Sequence, residues 1–334
     1  MKHITCFLCS LLLLSACSGN EFEFEPTEVP LELSYFNLDS ALRSSSAAKQ
    51  LQIRSSLAQQ DQRMLEFCFP YSLSIPLSPD SSFLKATQAF YSNTYFRALS
   101  NALDSKKKWR LKTMNELIYG FKALQHFLPK YKDPSQLVFA NTRFTASAFC
   151  TDKSIVIGQE RYLGATHSLI ESLPENQFYR WIKEAMEPQY AAGDALLVWM
   201  SSHVLPETTE NYASEMLRWG KLLYLLKVCL PETPEATIVR YSASDWKWAL
   251  ASEHGFWQYL VESQLLYKTD EKTRMNLLHE GPFTIGLPKE SPDRMGRFMG
   301  YRIVCQYMEN QEVDLQTLLQ TPYHQILQKY EVPK

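Results

Sequence analysis

Hydrophobic periodicity changes along this chain, and the change narrows the fold class more than any single motif does. Over residues 115–129 (NELIYGFKALQHFLP), Leu117, Phe121, Leu124 and Leu128 fall on one helical stripe and Pro129 marks the end. Three short β-favouring runs follow at 137–140, 145–150 and 154–158, separated by turn residues. After Gly164 the helical period returns, predicting helices near 175–186, 189–203, 210–230, 242–263, 292–310 and 312–329. Upstream, residues 36–60 and 82–104 carry the same period, the latter with Phe83, Ala86, Phe90 and Tyr91 on one stripe. Residues 66–80 hold Pro70, Pro76 and Pro79 and predict a loop. A three-strand sheet among many helices reads as α+β, predominantly helical.

The N-terminus adds a constraint on location. Lys2 and His3 precede an apolar run over residues 4–14, then Leu14-Ser15-Ala16-Cys17. A run this short cannot span a bilayer, which takes about 20 apolar residues. It has the build of a secretory signal, and cysteine directly after the small pair marks a bacterial lipoprotein signal. Residues 1–16 are then removed, and Cys17 carries lipid on its thiol and its amino group. Several acyl chains on one residue give stable anchoring, whereas one is marginal. Residues 17–35, acidic and with two prolines, read as lipid anchor and linker. The alternation of Glu21, Glu23 and Glu25 with Phe22 and Phe24 leaves an edge strand as the alternative. Residues 36–334 are expected to form a single, mostly helical domain. Ser18 after the cysteine, where an aspartate would favour inner-membrane retention, favours the outer membrane and a periplasm-facing domain.

Charge and cysteine usage remove several function classes. Loss of the signal takes Lys2 and no acid, so 34 basic and 36 acidic residues become 33 and 36. That mildly acidic balance, without a basic patch interleaved with aromatics, argues against nucleic acid. Lys106-Lys107-Lys108 reads as a solvated helix or turn. Cys6 and Cys9 leave with the signal, and Cys68, Cys150, Cys229 and Cys305 stand far apart with no CxxC pair. Their alternatives are disulfides and buried free thiols, and their apolar surroundings favour the thiols. HExxH, GxSxG, P-loop and GxGxxG motifs are all absent. No two of the seven histidines stand three or four apart, the spacing that turns both imidazoles toward one metal. Glu207 and Glu210 read as a solvated face. No catalytic residue, metal or diffusible cofactor is expected, leaving the lipid on Cys17 as the one covalent addition.

Two stretches stand apart. Residues 215–226 (EMLRWGKLLYLL) are apolar nearly all round, the mark of a buried helix. Gly220 in its middle costs about 1 kcal/mol relative to alanine, so close packing or an approaching ligand must offset it. Lys221 lies inside the run and needs a partner, with Glu215, Glu253 and Glu262 as candidates. Residues 291–304 (SPDRMGRFMGYRIV) open with Ser291 as N-cap, Pro292 at the first helical position and Asp293 in the first turn. Gly296 and Gly300 share a face, for close helix packing or for a groove lined by Arg294, Arg297 and Tyr301.

These stretches belong to an ordered set. Its other landmarks include residues 121–129, 155–158 leading to Arg161-Tyr162-Leu163-Gly164, Leu230-Pro231, Trp248, Glu253, Phe256-Trp257 and Gly281-Pro282-Phe283-Thr284. In that order, behind a lipoprotein signal, the chain resembles the gliding-motility-associated lipoproteins called GldB, of Bacteroidetes. One departure is Gln159-Glu160, where the family more often has Leu-Asp. The family is in turn distantly similar to zinc peptidases of the zincin type, which implies a zincin-like domain with a small β-sheet packed among helices. If residues 220–224 occupy the HExxH position, Gly220 replaces the first ligand, Lys221 the general base and Tyr224 the second ligand. Glu253 remains as a carboxylate, short of the three ligands and acid/base a catalytic zinc site needs. The resemblance therefore implies a pseudoenzyme, a peptidase scaffold without its metal, whose old cleft (Gly220, Lys221, Tyr224, Glu253, Arg294, Tyr301) is a candidate binding site. It implies a part in gliding motility or the linked secretion machinery, with envelope proteins as partners. The alternative is an envelope hydrolase using Lys221 or a non-standard metal site.

Overall fold

In the computed structural model, residues 22–78, 81–207 and 210–333 are described; the signal segment and Cys17 lie outside the described residues. Four strands form one sheet: β1 (Ser34–Asn37), β2 (Gln136–Ala140), β3 (Ala148–Cys150) and β4 (Ser154–Gly158), in the order β1-β2-β4-β3. β1, β2 and β4 run parallel, and β3 closes the sheet antiparallel to β4, with Val138 opposite Val156 and Phe149 opposite the same valine. Strand side chains alternate between the two faces, and both faces are covered. Leu137, Phe139, Ile155 and Ile157 face the larger core. Val138, Ala140 and Val156 face a smaller one with Leu38, Leu42, Leu57 and Phe83. Burial on both sides explains why β2 and β4 read as continuous apolar runs.

The larger core is built on five helices: α1 (Lys107–Phe127), α2 (Ala191–His203), α3 (Tyr212–Cys229), α4 (Ala243–Glu262) and α5 (Met295–Asn310). α3 runs through the middle with nearly every residue buried, as its all-round apolarity predicts. The architecture is α+β with helix dominant. Among the described residues no helix is long and apolar enough to cross a membrane. Cys68, Cys150, Cys229 and Cys305 are free thiols.

Several local expectations are corrected. β1 makes a fourth strand, and the boundary expected at residue 36 falls inside it. Residues 22–33, expected as a linker, lie against the larger core through Phe22, Phe24, Leu31 and Leu33. The helix expected over 82–104 is two, Ser81–Ser92 and Thr94–Ser105, because the Asn93 side chain accepts from the backbone N–H groups of Tyr95 and Phe96 and starts a new helix. The expected loop at 66–80 contains a π-helical turn, Phe67–Leu73, around Pro70; widening the helix accommodates a residue with no N–H to give. The helix expected at 115–129 begins earlier, at Lys107, and the one at 175–186 shrinks to Arg180–Glu184. That at 312–329 splits into Leu315–Gln320 and Tyr323–Leu327 around Pro322.

The strand expected at 145–150 is shortened by a turn in which Arg143 and Phe144 take left-handed backbone angles (φ 52° and 62°). Glu160, fully buried, braces it. One of its oxygens accepts from Thr142 N (2.8 Å), Thr142 Oγ1 (2.7 Å) and Phe144 N (2.8 Å). Its neighbour Gln159 donates to Asp39 (2.8 Å), which also accepts from Tyr91 (2.7 Å). Gln159 and Glu160 thus carry a local polar network.

Candidate functional site

The Gly220 region is a helix seam. A methyl group built on Gly220 would overlap the Gly300 carbonyl, and one on Gly300 would overlap the Met216 carbonyl. α3 and α5 therefore meet backbone to backbone, and dispersion over that contact offsets the helical cost of both glycines. Close packing, rather than ligand approach, accounts for Gly220 and Gly300. Gly296 is closed in differently, by the Tyr212 hydroxyl, the Leu278 side chain and the Leu277 carbonyl.

Lys221 is 6% exposed and pairs with none of the three acids expected for it. Its Nζ donates to the backbone carbonyls of Thr321 (2.6 Å) and Leu319 (3.2 Å), at the C-terminal turn of helix Leu315–Gln320, where the helix dipole favours a cation. Burial pushes its pKa down to about 8. Glu215 instead accepts from Arg218 (2.9 Å), and Glu253 accepts from Arg302 (2.9 Å) and Tyr330 (3.0 Å). Glu262 is exposed. Lys221, Arg218, Tyr323 and His324 line a shallow cavity of about 330 Å³.

The remaining candidates do not gather around Lys221. Tyr224 is buried with its ring 6.1 Å from that of Phe22. The Tyr301 hydroxyl donates to Glu235 (2.9 Å), which also binds Lys227 (3.0 Å). Arg294, Arg297 and Tyr301 do not line one groove: only Arg294 borders the cavity described next, and the Arg297 guanidinium stacks on Trp219, 3.6 Å from the ring centre. The expected cap at Ser291 is also corrected. α5 begins at Met295 after Arg294 in a left-handed conformation (φ 54°), and Thr284 Oγ1 accepts from Met295 N (3.0 Å). Ser291 is buried, and its hydroxyl has no hydrogen-bond partner among the described residues.

Arg294 opens onto a different place, a cavity of about 530 Å³ between the start of α4 and the loops at 280–282 and 289–294. Its floor holds two arginines with left-handed backbone, Arg240 (φ 60°) and Arg294. Such a conformation costs about 1–3 kcal/mol for a non-glycine residue and persists where the surroundings over-determine it. They do so here. Arg240 donates to both oxygens of Asp194 (2.5 Å each) and to Ala185 O (2.9 Å), and its guanidinium lies 4.6 Å from the Tyr190 ring centre. Tyr162 adds a hydrogen bond to Asp194 (2.8 Å). Arg294 binds Asp293 (2.9 Å), Glu280 (3.6 Å) and the Arg240 carbonyl (3.3 Å), while its Nε is buried without a hydrogen-bond partner among the described residues.

The titrations follow from this crowding. Burial works against the charge of Arg240, and Asp194, then Glu280, more than restore it, so its pKa is raised. Burial, then the Arg294 charge, push Arg297 down to about 9. Against the desolvation of its surroundings, Arg294, Arg240, Arg297 and Arg161 hold Glu280 below the usual carboxylate range. Glu184, Asp245, Glu280, Glu290 and Asp293 line the cavity against Arg240, Lys289 and Arg294. Arg240 is paired with Asp194, Arg294 with Asp293 and Glu280, and Glu184 with Arg180, which leaves Asp245 and Glu290 against Lys289, a small acidic excess at the mouth. Trp181 supplies an aromatic wall, while the Tyr190 ring is already covered by Arg240 and Tyr241 is buried against Phe298. Acids beside aromatic faces suit a cation.

Sequence reasoning named Arg294 but missed Arg240, Asp194 and Trp181. One available signal was Asp194, the sole acid in the apolar stretch that became α2. Another was Arg240, just before Ser242, the N-cap of α4. Among the described residues no group of three His, Cys, Asp or Glu side chains is arranged to hold a metal ion.

No curated protein and no solved structure matches the chain. A family model described as gliding motility protein GldB matches residues 20–332, from just before Phe22 to the C-terminal tail. That match takes in the sheet, the α3–α5 seam and the charged cavity together, and the chain belongs to the gliding motility protein GldB family.

Proposed function

We propose that this chain is a membrane-anchored envelope lipoprotein, periplasm-facing and on the outer membrane, that supports gliding motility or the linked secretion machinery through protein contacts and without catalysis. The family model's name describes a lipoprotein, which supports lipid attachment at Cys17. The observation that carries a binding role is the charged cavity. Its arginine floor is held by ion pairs yet leaves Arg294 Nε without a partner among the described residues, its mouth carries a small acidic excess, and Trp181 offers an aromatic wall. That chemistry suits a basic segment of another envelope protein, held by charge-assisted hydrogen bonds and cation–π contact.

The pseudoenzyme reading is supported by packing. If Gly220, Lys221 and Tyr224 stand where a zincin carries HExxH, the backbone of α5 fills the space beside the first of those positions. One observation favours the rival hydrolase: Lys221, with its pKa near 8, lines a cavity. Its ammonium is nevertheless committed to two carbonyls that close a helix.

Elemental analysis of the purified lipoprotein, with amine labelling near neutral pH, separates the readings. The non-catalytic account predicts no stoichiometric metal and no preferential labelling of Lys221. Zinc at one equivalent, or rapid labelling of Lys221 at pH 7, would favour the hydrolase.

A further inference from the structure

We propose that the face of the protein around Phe22 is the one held close to the lipid bilayer, an inference that rests on lipid attachment at Cys17. Residues 18–35, if free, would let the domain stand off by roughly 60 Å at 3.3–3.6 Å per extended residue. The structure removes most of that reach. Phe22 packs edge-on against Phe127 (5.6 Å between ring centres), and Phe24 stacks on His126 (5.3 Å). Lys122 Nζ donates to Pro26 O (2.7 Å), and the segment then enters the sheet as β1. Only five residue steps separate Cys17 from Phe22, which limits the tether to about 18 Å whatever its conformation.

The docked segment therefore fixes which end of the molecule meets the membrane. It is the end where α1 finishes, with His126 against the Phe24 ring and Lys130 exposed just beyond the helix. The opposite end of this 21-residue helix, at Lys108, is about 28 Å away along the axis at 1.5 Å per residue. Charge does not hold the face down, because Glu23, Glu25 and Glu28 lie on the same segment. The tether sets proximity, so it is expected to be insensitive to salt.

The test uses the full lipidated protein in vesicles of phosphatidylethanolamine and phosphatidylglycerol containing a headgroup spin-labelled lipid. A fluorescent amino acid is placed at position 130, which leaves the Phe24–His126 stack intact, or at 108. Quenching at 130 should exceed that at 108 at low and high salt alike. A 20-residue Gly-Ser spacer inserted after Asn20, or the double change Phe22→Ser with Phe24→Ser, should cut quenching at 130 by about twofold or more, because a flexible chain of that length wanders by tens of ångströms. Equal quenching at 130 in parent and spacer proteins, both membrane-bound, would overturn the proposal. Cys17→Ser isolates the underlying reading: release from vesicles supports the lipid anchor, and undiminished binding would overturn the anchor itself.

Discussion

The α3–α5 seam and the charged cavity both place glycine or arginine under unusual constraint, and for opposite reasons. At the seam, Gly220 and Gly300 let two helix backbones touch, and the polar atoms left without a partner nearby among the described residues, Tyr212 Oη and Arg297 Nε, are buried between helices and line no cavity described above. At the cavity, Arg240 and Arg294 hold a backbone conformation that is costly for their type, and polar capacity remains in Arg294 Nε and Ser291 Oγ. The seam uses its constraint on stability alone. The cavity keeps strain and unspent hydrogen-bonding groups beside an opening, a combination typical of sites that receive something.

If that contrast holds, the seam should be the less forgiving of the two. Gly300→Val drives a branched side chain into the Met216 backbone, and a loss of about 4–5 kcal/mol or failure to fold is expected in urea unfolding. A loss below about 1 kcal/mol would mean that the helices are not in backbone contact. Asp194→Ala should cost about 3–5 kcal/mol, because it strands the Arg240 guanidinium in a buried site. A neutral result there would show that the floor of the cavity is not braced by this pair.

Lys221 sharpens the comparison through pH. Its folded pKa lies near 8, below its ordinary value near 10.5. Between those values the unfolded chain keeps a proton that the folded protein has released, so stability should rise with pH across that window. Relative to Lys221→Met, the parent should gain about 2 kcal/mol from pH 8 to 10.5, measured by chemical denaturation at several pH values. Parallel pH profiles for the two proteins would mean that Lys221 is solvated. The smallest effect is a gain. Gly255 sits in α4 with nothing within 4 Å of an added methyl, so Gly255→Ala should stabilise by about 1 kcal/mol. It makes a control for the two seam glycines.

The fold class was legible because period is a local property. Both β2 and β4, buried on two faces, announced themselves as apolar runs, and α3 as an all-round apolar helix. β1 was not legible: its four residues are half exposed and gain their partner, β2, from about 100 positions downstream. The break at Asn93 was hidden because an amide cap looks like any polar residue within a helical stripe. Close packing was legible at Gly220 and at the Gly296–Gly300 face as an alternative to a ligand or groove, but that Gly220 meets Gly300 was not, because the two lie on helices 80 positions apart. The charged cavity was the least readable feature. Asp194, Arg240, Glu280 and Arg294 come from separate elements, and left-handed φ at an arginine leaves no mark in composition.

The central claim is that function resides in the cavity and not along the α3 helix. It is tested most directly by colony spreading in a gliding host whose own family member has been deleted. Two variants are compared with the parent: Trp181→Ala with Glu290→Lys at the cavity rim, which disturbs no buried ion pair, and Lys221→Met. The account predicts that the rim variant folds with unchanged Tm, reaches the membrane and fails to restore spreading, whereas Lys221→Met restores it. Normal spreading with the rim variant, together with loss of spreading in a stably folded Lys221→Met protein, would contradict it.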